Sequence, residues 1–231
     1  MLRRLCWVDL DQYRPYPPGF IELADFEFPD LPILPETLLL LDLKMQDPWI
    51  DLANISHVLL RDLGATTQIL RLAGREYADA KFRPIRIEDC IADLGLEACV
   101  EAVSTKFIAQ DARNAAIVGL WTHSREIAEH ASAVAEDMPG VDPAQAYLAG
   151  LLHDIDQLPS LFGWSGPLAE LAADKSHGIS LAEVWSLPAC VCELFSVPDQ
   201  ARPRGPWSRI VHAAHARASM QSISAECSLT A

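Results

Sequence analysis

An all-α fold is predicted for this 231-residue chain, and three observations carry the prediction. Apolar residues recur at helical spacing from about residue 36 to residue 220, in runs punctuated by proline and glycine. No segment shows the strict alternation of a half-buried strand. The run Asp142–Leu158, DPAQAYLAGLLHDIDQL, is apolar or small on nearly every side between Ala144 and Leu152. That pattern belongs to a helix enclosed by other helices. The chain is long enough for one ample domain, or for two packed helical lobes of about 31–108 and 109–220.

Residues 1–30 read as an irregular arm, because Pro15, Pro17, Pro18 and Pro29 block long helices. Within it, Phe20–Asp30 mixes three phenylalanines with four acids, which fits either packing against its own domain or docking a basic partner. Leu31–Pro35 (LPILP) leads rigidly into a first helix, Glu36–Gln46, with Leu38, Leu39, Leu41 and Leu43 on its apolar faces. Ile50, Leu52, Ile55, Val58 and Leu59 fit a second helix, and a third follows Gly64 and ends near Gly74. His57 stands alone in the second and is read as a surface or hydrogen-bonded residue.

Two short helices, Ile87–Gly95 and Leu96–Phe107, break at Gly95, and Gln110–Met138 is the longest helical pattern. Asp142 caps the central helix and Pro143 suits its first turn, where a missing N–H costs nothing. Gly163–Gly166 forms a turn, followed by short helices over Pro167–Ala173, Gly178–Trp185 and Pro188–Phe195. Pro198–Pro206 is a linker, Trp207–Met220 a last helix, and 221–231 a frayed tail.

Composition narrows the partners. A net charge of −14 disfavours nucleic acid and anionic lipid, and the basic stretches are as short as Lys81–Arg86. The six cysteines lack CxxC pairing, so they read as reduced, mostly buried thiols. Met1–Val8 is not followed by a signal-peptide core, and no run reaches membrane-spanning length, so a cytoplasmic protein is expected.

The central run ends in His153, Asp154 and Asp156. An imidazole beside a carboxylate at the end of a buried helix must be paired, hydrated or bound. Partners available elsewhere are His123, His212 and His215. His123 and His130 lie two turns apart on one helix face, and His130 is read as a polar edge residue.

Several separated pieces occur in a known order: LPILP at 31–35, DLGATTQILRLAG at 62–74, IRIEDCIADLG at 85–95, WTHS at 121–124, AGLLHDI at 149–155 and GISLAEVWSLP at 178–188. Over about 31–220 the chain resembles the HDOD domain, a helical relative of the HD-domain metal-dependent phosphohydrolases. The resemblance implies an HD-domain-like helical bundle and a signalling module that has lost the hydrolase reaction.

An active relative needs a His from an earlier helix, the adjacent His-Asp pair and a distal Asp, which together hold a divalent cation that activates water. His123, His153 and Asp154 match the first three, and the distal position falls on His215. Imidazole also binds zinc or iron. Other positions depart further. Asp174, with His177 nearby, stands at one histidine position; Pro198-Asp199 stands where paired histidines are usual, and Asp156 replaces a glycine. A binuclear site is not expected.

The resemblance and the eroded ligand set together imply a non-catalytic regulatory module, without cofactor, that binds other signalling proteins in a bacterial-type pathway. In that reading the histidines and Asp154 form a hydrogen-bonded network between helices, or hold a structural or vestigial cation. One alternative is a metal-dependent phosphohydrolase of nucleotides or cyclic dinucleotides acting through His123, His153, Asp154 and His215. Another is a sensor whose cavity beside His153 binds a small molecule without turnover.

Overall fold

The computed structural model describes residues 31–76, 85–104, 114–165, 169, 180–195 and 205–229, with side chains unassigned at 114 and 221–229. Outside the described residues lie the arm over 1–30, nearly all of the helix expected at 167–173, most of the 198–206 linker, and Asp174, His177, Pro198 and Asp199. Within them every regular element is helical.

The LPILP segment leads into the first helix and belongs to the core, with Leu31, Ile33 and Leu34 buried. Helix α1 (Pro35–Met45) turns Thr37 and Leu41 inward. Helix α2 (Leu52–Leu60) is capped by Asp51, whose carboxylate accepts from the Ala53 N–H. Helix α3 (Leu63–Glu76) is buried over most of its length. It starts one residue before Gly64, not after it, because that glycine serves packing and does not start the helix. A Cβ there would strike the Pro32 carbonyl, so only glycine lets LPILP lie on α3. Helices α4 (Ile87–Leu94) and α5 (Leu96–Ser104) break at Gly95, where φ is 88°.

Helix α6 (Asn114–Glu136) pairs most extensively with α7 (Pro143–Leu151). The Asp142 carboxylate caps α7 at the Ala144 N–H, 2.9 Å away, and accepts a hydrogen bond from the Arg86 guanidinium at 3.1 Å. Burial raises the Asp142 carboxyl, but the Ala144 bond and the Arg86 charge together bring it below its ordinary range. Closeness to α6 depends on Gly150, where a Cβ would stand 2.7 Å from the Ala128 Cα and 2.8 Å from the Ile127 carbonyl oxygen.

The 142–158 run does not stay helical throughout. After Leu151 come a turn, a 3₁₀ turn (Ile155–Gln157) and α8 (Leu158–Phe162), which Gly163 ends at φ 64°. Pro159 sits in the first turn of α8, where its missing N–H costs nothing. His153 and Asp154 thus sit in the turn past α7. Helix α9 (Leu181–Val184) opens on a capping box between Ser180 and Glu183. Helix α10 (Ala189–Phe195) and helix α11 (Pro206–Leu229) follow, and α11 continues beyond Met220.

One core runs across both sides of residue 108, from Leu31, Ile69 and Cys99 to Trp121, Leu151 and Trp185. A second layer, rich in alanine, joins α6, α7 and α11 through Ala131, Ala135, Ala149 and Ala214. Small side chains let these three helices approach closely, which sets the histidines they carry within reach of one another. Asp62 ties the first core together. Its fully buried carboxylate accepts the Leu34 N–H at 2.7 Å, the Ala65 N–H at 3.1 Å and the Trp121 indole N–H at 2.9 Å. From α7, the Tyr147 hydroxyl donates to the Leu60 carbonyl at 3.1 Å, and burial pushes that phenol up to about 12.

Candidate metal centre

His123 comes from the middle of α6, His153 and Asp154 from the turn after α7, and His215 from α11. Each is placed by a helix of the alanine-rich layer, and their ring centroids lie 4.8–5.3 Å apart. The ligand atoms of His123, His153 and His215 all fall within 4.8 Å of one another. His153 lies at the floor, its side chain 7% exposed, and His123 at the rim, 40% exposed. His212, three residues before His215, is exposed and outside the cluster, and so is His57 on α2.

Hydrogen bonding fixes the floor residue. Nδ1 of His153 lies 2.7 Å from the Gly150 carbonyl oxygen. A carbonyl only accepts, so Nδ1 carries the proton and donates. In the neutral ring Nε2 is then a lone pair aimed into the cluster. It meets the His215 Nε2 at 3.1 Å and the Asp154 Oδ2 at 3.2 Å, and Asp154 Oδ2 is 3.7 Å from the His123 Nε2. A shared proton or a bound cation between Nε2 and the Asp154 oxygen would relieve the repulsion of two facing acceptors.

The surrounding electrostatics are consistent with either. Burial raises the Asp154 carboxyl, but hydrogen bonding and charge from His153, a Gln157 hydrogen bond and the charge of His123 outweigh it, and the net direction is downward. His215 is lowered, first by burial and then by the neighbouring His153 and His123, so it favours the neutral ring that a metal or a hydrogen-bond donor needs.

The donor set also fits a metal. Around a tetrahedral zinc with bonds of about 2.0–2.1 Å, ligand atoms stand about 3.4 Å apart. The 3.1 Å between His153 and His215 lies near that value, and the ligand atoms of all three histidines fall within 4.8 Å of one another. His123, His153 and His215 would hold the ion, with Asp154 beside them, and it would supply Lewis acidity at that point. Asp156 lies half-buried in the following 3₁₀ turn.

Two supporting parts carry no local signal in the sequence. The Gly150 carbonyl orients His153 through an ordinary helix-end backbone atom, and the Gln157 amide reaches back to Asp154. Position at a helix C-terminus, where carbonyls lack partners, is the cue that points to the first.

No curated protein matches the chain. Two crystal structures of the MmoQ response regulator from Methylococcus capsulatus str. Bath are similar in fold. A fragment spanning 20–298 is 20% identical at a TM-score of 0.58, with 80% of this chain and 81% of that chain covered. The other is 19% identical at a TM-score of 0.60, with 84% and 85% covered. A family model for the HDOD domain matches residues 31–177, which is more than half of the sequence. On that match, and on the helical bundle that carries it, this chain belongs to the HDOD domain family.

Proposed function

We propose that this protein is a non-catalytic regulatory module that acts in a signalling pathway by binding other proteins. One observation carries the reading: His123, His153 and His215 converge from α6, the turn after α7 and α11, with the Asp154 carboxylate 3.2 Å from His153 Nε2. His153 also hydrogen-bonds His215 at 3.1 Å and pairs with Asp154 at 3.2 Å, which ties α11 to the turn after α7, with the His123 ring of α6 packed alongside. A centre of this kind bridges helices, and that bridging is the role the proposal assigns to it. The fold-level likeness to a response regulator supports the signalling half of the reading.

A phosphohydrolase remains the second reading, favoured by one observation. The three histidines grouped within 4.8 Å of one another could hold a manganese or iron that keeps positions for water and substrate. Against it stands the charge of −14, which repels a phosphate ester from the surface.

Incubation of the full chain with Mn²⁺ and nucleoside triphosphates or cyclic dinucleotides separates the two. Hydrolysis no faster than that of Asp154→Ala is expected. Turnover that Asp154→Ala abolishes would overturn the proposal. Affinity capture from the native cell tests the partner half, with stoichiometric and saturable binding of a signalling protein as the expected result.

A further inference from the structure

Helix α1 is apolar on two opposite faces. Thr37 and Leu41 face the core, while Leu39, Leu40 and Leu43 on the far side are 60%, 42% and 54% exposed. Leu39 and Leu43 stand one turn apart in line, with Leu40 beside them. Trp49, 89% exposed, and Leu52, 39% exposed, follow directly in the chain. Single exposed leucines are ordinary, but a leucine stripe with a tryptophan next to it is a surface built to be covered. Its rim is acidic: from 36 to 52 the charges are Glu36, Asp42, Asp47 and Asp51 against Lys44 alone.

We propose that residues 2–14 of the same chain, LRRLCWVDLDQYR, cover this face in cis. The segment matches it twice over. It alternates leucine and tryptophan with Arg3, Arg4 and Arg14, which outnumber Asp9 and Asp11, so an apolar surface with basic charge meets an apolar surface with an acidic rim. Residues 15–30 carry only acids, Glu22, Asp25, Glu27 and Asp30, and would meet repulsion there.

Connectivity permits the contact and strengthens it. Buried Leu31 anchors the chain just before α1. Residues 15–30 span up to about 50 Å when extended, and α1 is only about 16 Å long. A tether of this reach gives a local concentration on the order of 1 mM, so a weak contact suffices. A second copy would bring an identical acidic rim on a molecule of charge −14. The inference stands apart from whatever the histidine cluster holds.

The segment carries its own reporter, Cys6. Leu43→Cys in the full chain, mildly oxidised at low micromolar concentration, tests the contact by peptide mapping. Cys90, Cys99 and Cys190 are buried, their thiols pushed up to about 12, 11 and 12, and stay unreactive. A disulfide within one chain between Cys6 and position 43 is expected, formed at least tenfold more slowly in an Arg3→Glu/Arg4→Glu background. Leu39→Cys gives the same readout one turn away if the first variant folds poorly. The proposal fails if Cys6 stays freely alkylated in both variants, if the charge reversal leaves the rate unchanged, or if the main product joins position 43 of two chains.

Discussion

Asp62 holds three buried N–H groups from three places in the chain: Leu34 before α1, Ala65 in α3 and Trp121 in α6. Asp62→Ala orphans all three, and each unsatisfied buried donor costs about 1–3 kcal/mol. Urea denaturation is therefore expected to show a loss of at least about 3 kcal/mol, a large part of a typical stability of about 5–15 kcal/mol. Burial also raises the Asp62 carboxyl above 3.8, although the bonds from Leu34, Ala65, Trp121 and Thr37 oppose it. A carboxyl raised on folding contributes its stability below the unfolded value and loses it as pH climbs through the folded one. The advantage of the native protein over the non-titrating Asp62→Asn should accordingly shrink as pH rises above the ordinary carboxyl value of 3.8 in parallel urea titrations. A constant difference would show that burial does not shift the group. His153→Ala removes the floor of the histidine cluster, and a drop of about 1–3 kcal/mol is expected by the same measurement. Sequence alone made His153 and Asp154 visible, because polarity changes abruptly at the end of an apolar run. Asp62 was legible only as the start of DLGATTQILRLAG, since its partners lie 28 and 59 residues away, beyond any local period.

Helices were the most readable level, for periodicity and the Pro and Gly stops are local. What the pattern hid was why certain glycines are there. Gly119 on α6 has open space where a Cβ would go, while Gly150 on α7 meets the α6 backbone at 2.7–2.9 Å. The same substitution should therefore act in opposite directions. Gly119→Ala is expected to stabilise by roughly 0.5–1 kcal/mol through helix propensity alone. Gly150→Ala should destabilise by about 1–3 kcal/mol, because α6 and α7 must part. Thermal or urea unfolding of the two variants checks the pair, and equal signs would refute this view of the α6–α7 contact. The interruption after Leu151 was likewise hidden, as the apolar run continues through Ile155 and Leu158 while the backbone does not.

For the molecule as a whole, sequence left open whether residue 108 separates two lobes. The shared core argues for one cooperative unit: Leu31, Ile69 and Cys99 belong to the same buried cluster as Trp121, Leu151 and Trp185. Tryptophan fluorescence and far-ultraviolet circular dichroism should then report coincident unfolding transitions. Two separated midpoints would mean that the halves come apart independently. Charge at this scale was fully legible, being a sum over residues, while the convergence of His123, His153 and His215 depended on three helices folding together. The Asp62 tie has a further consequence for synthesis. A nascent polypeptide leaves the ribosome N-terminus first, and Trp121 is translated 59 residues after Asp62. Until that indole clears the exit tunnel, the carboxylate at the hub lacks one of its clasps, so the early helices must wait in a provisional, hydrated arrangement.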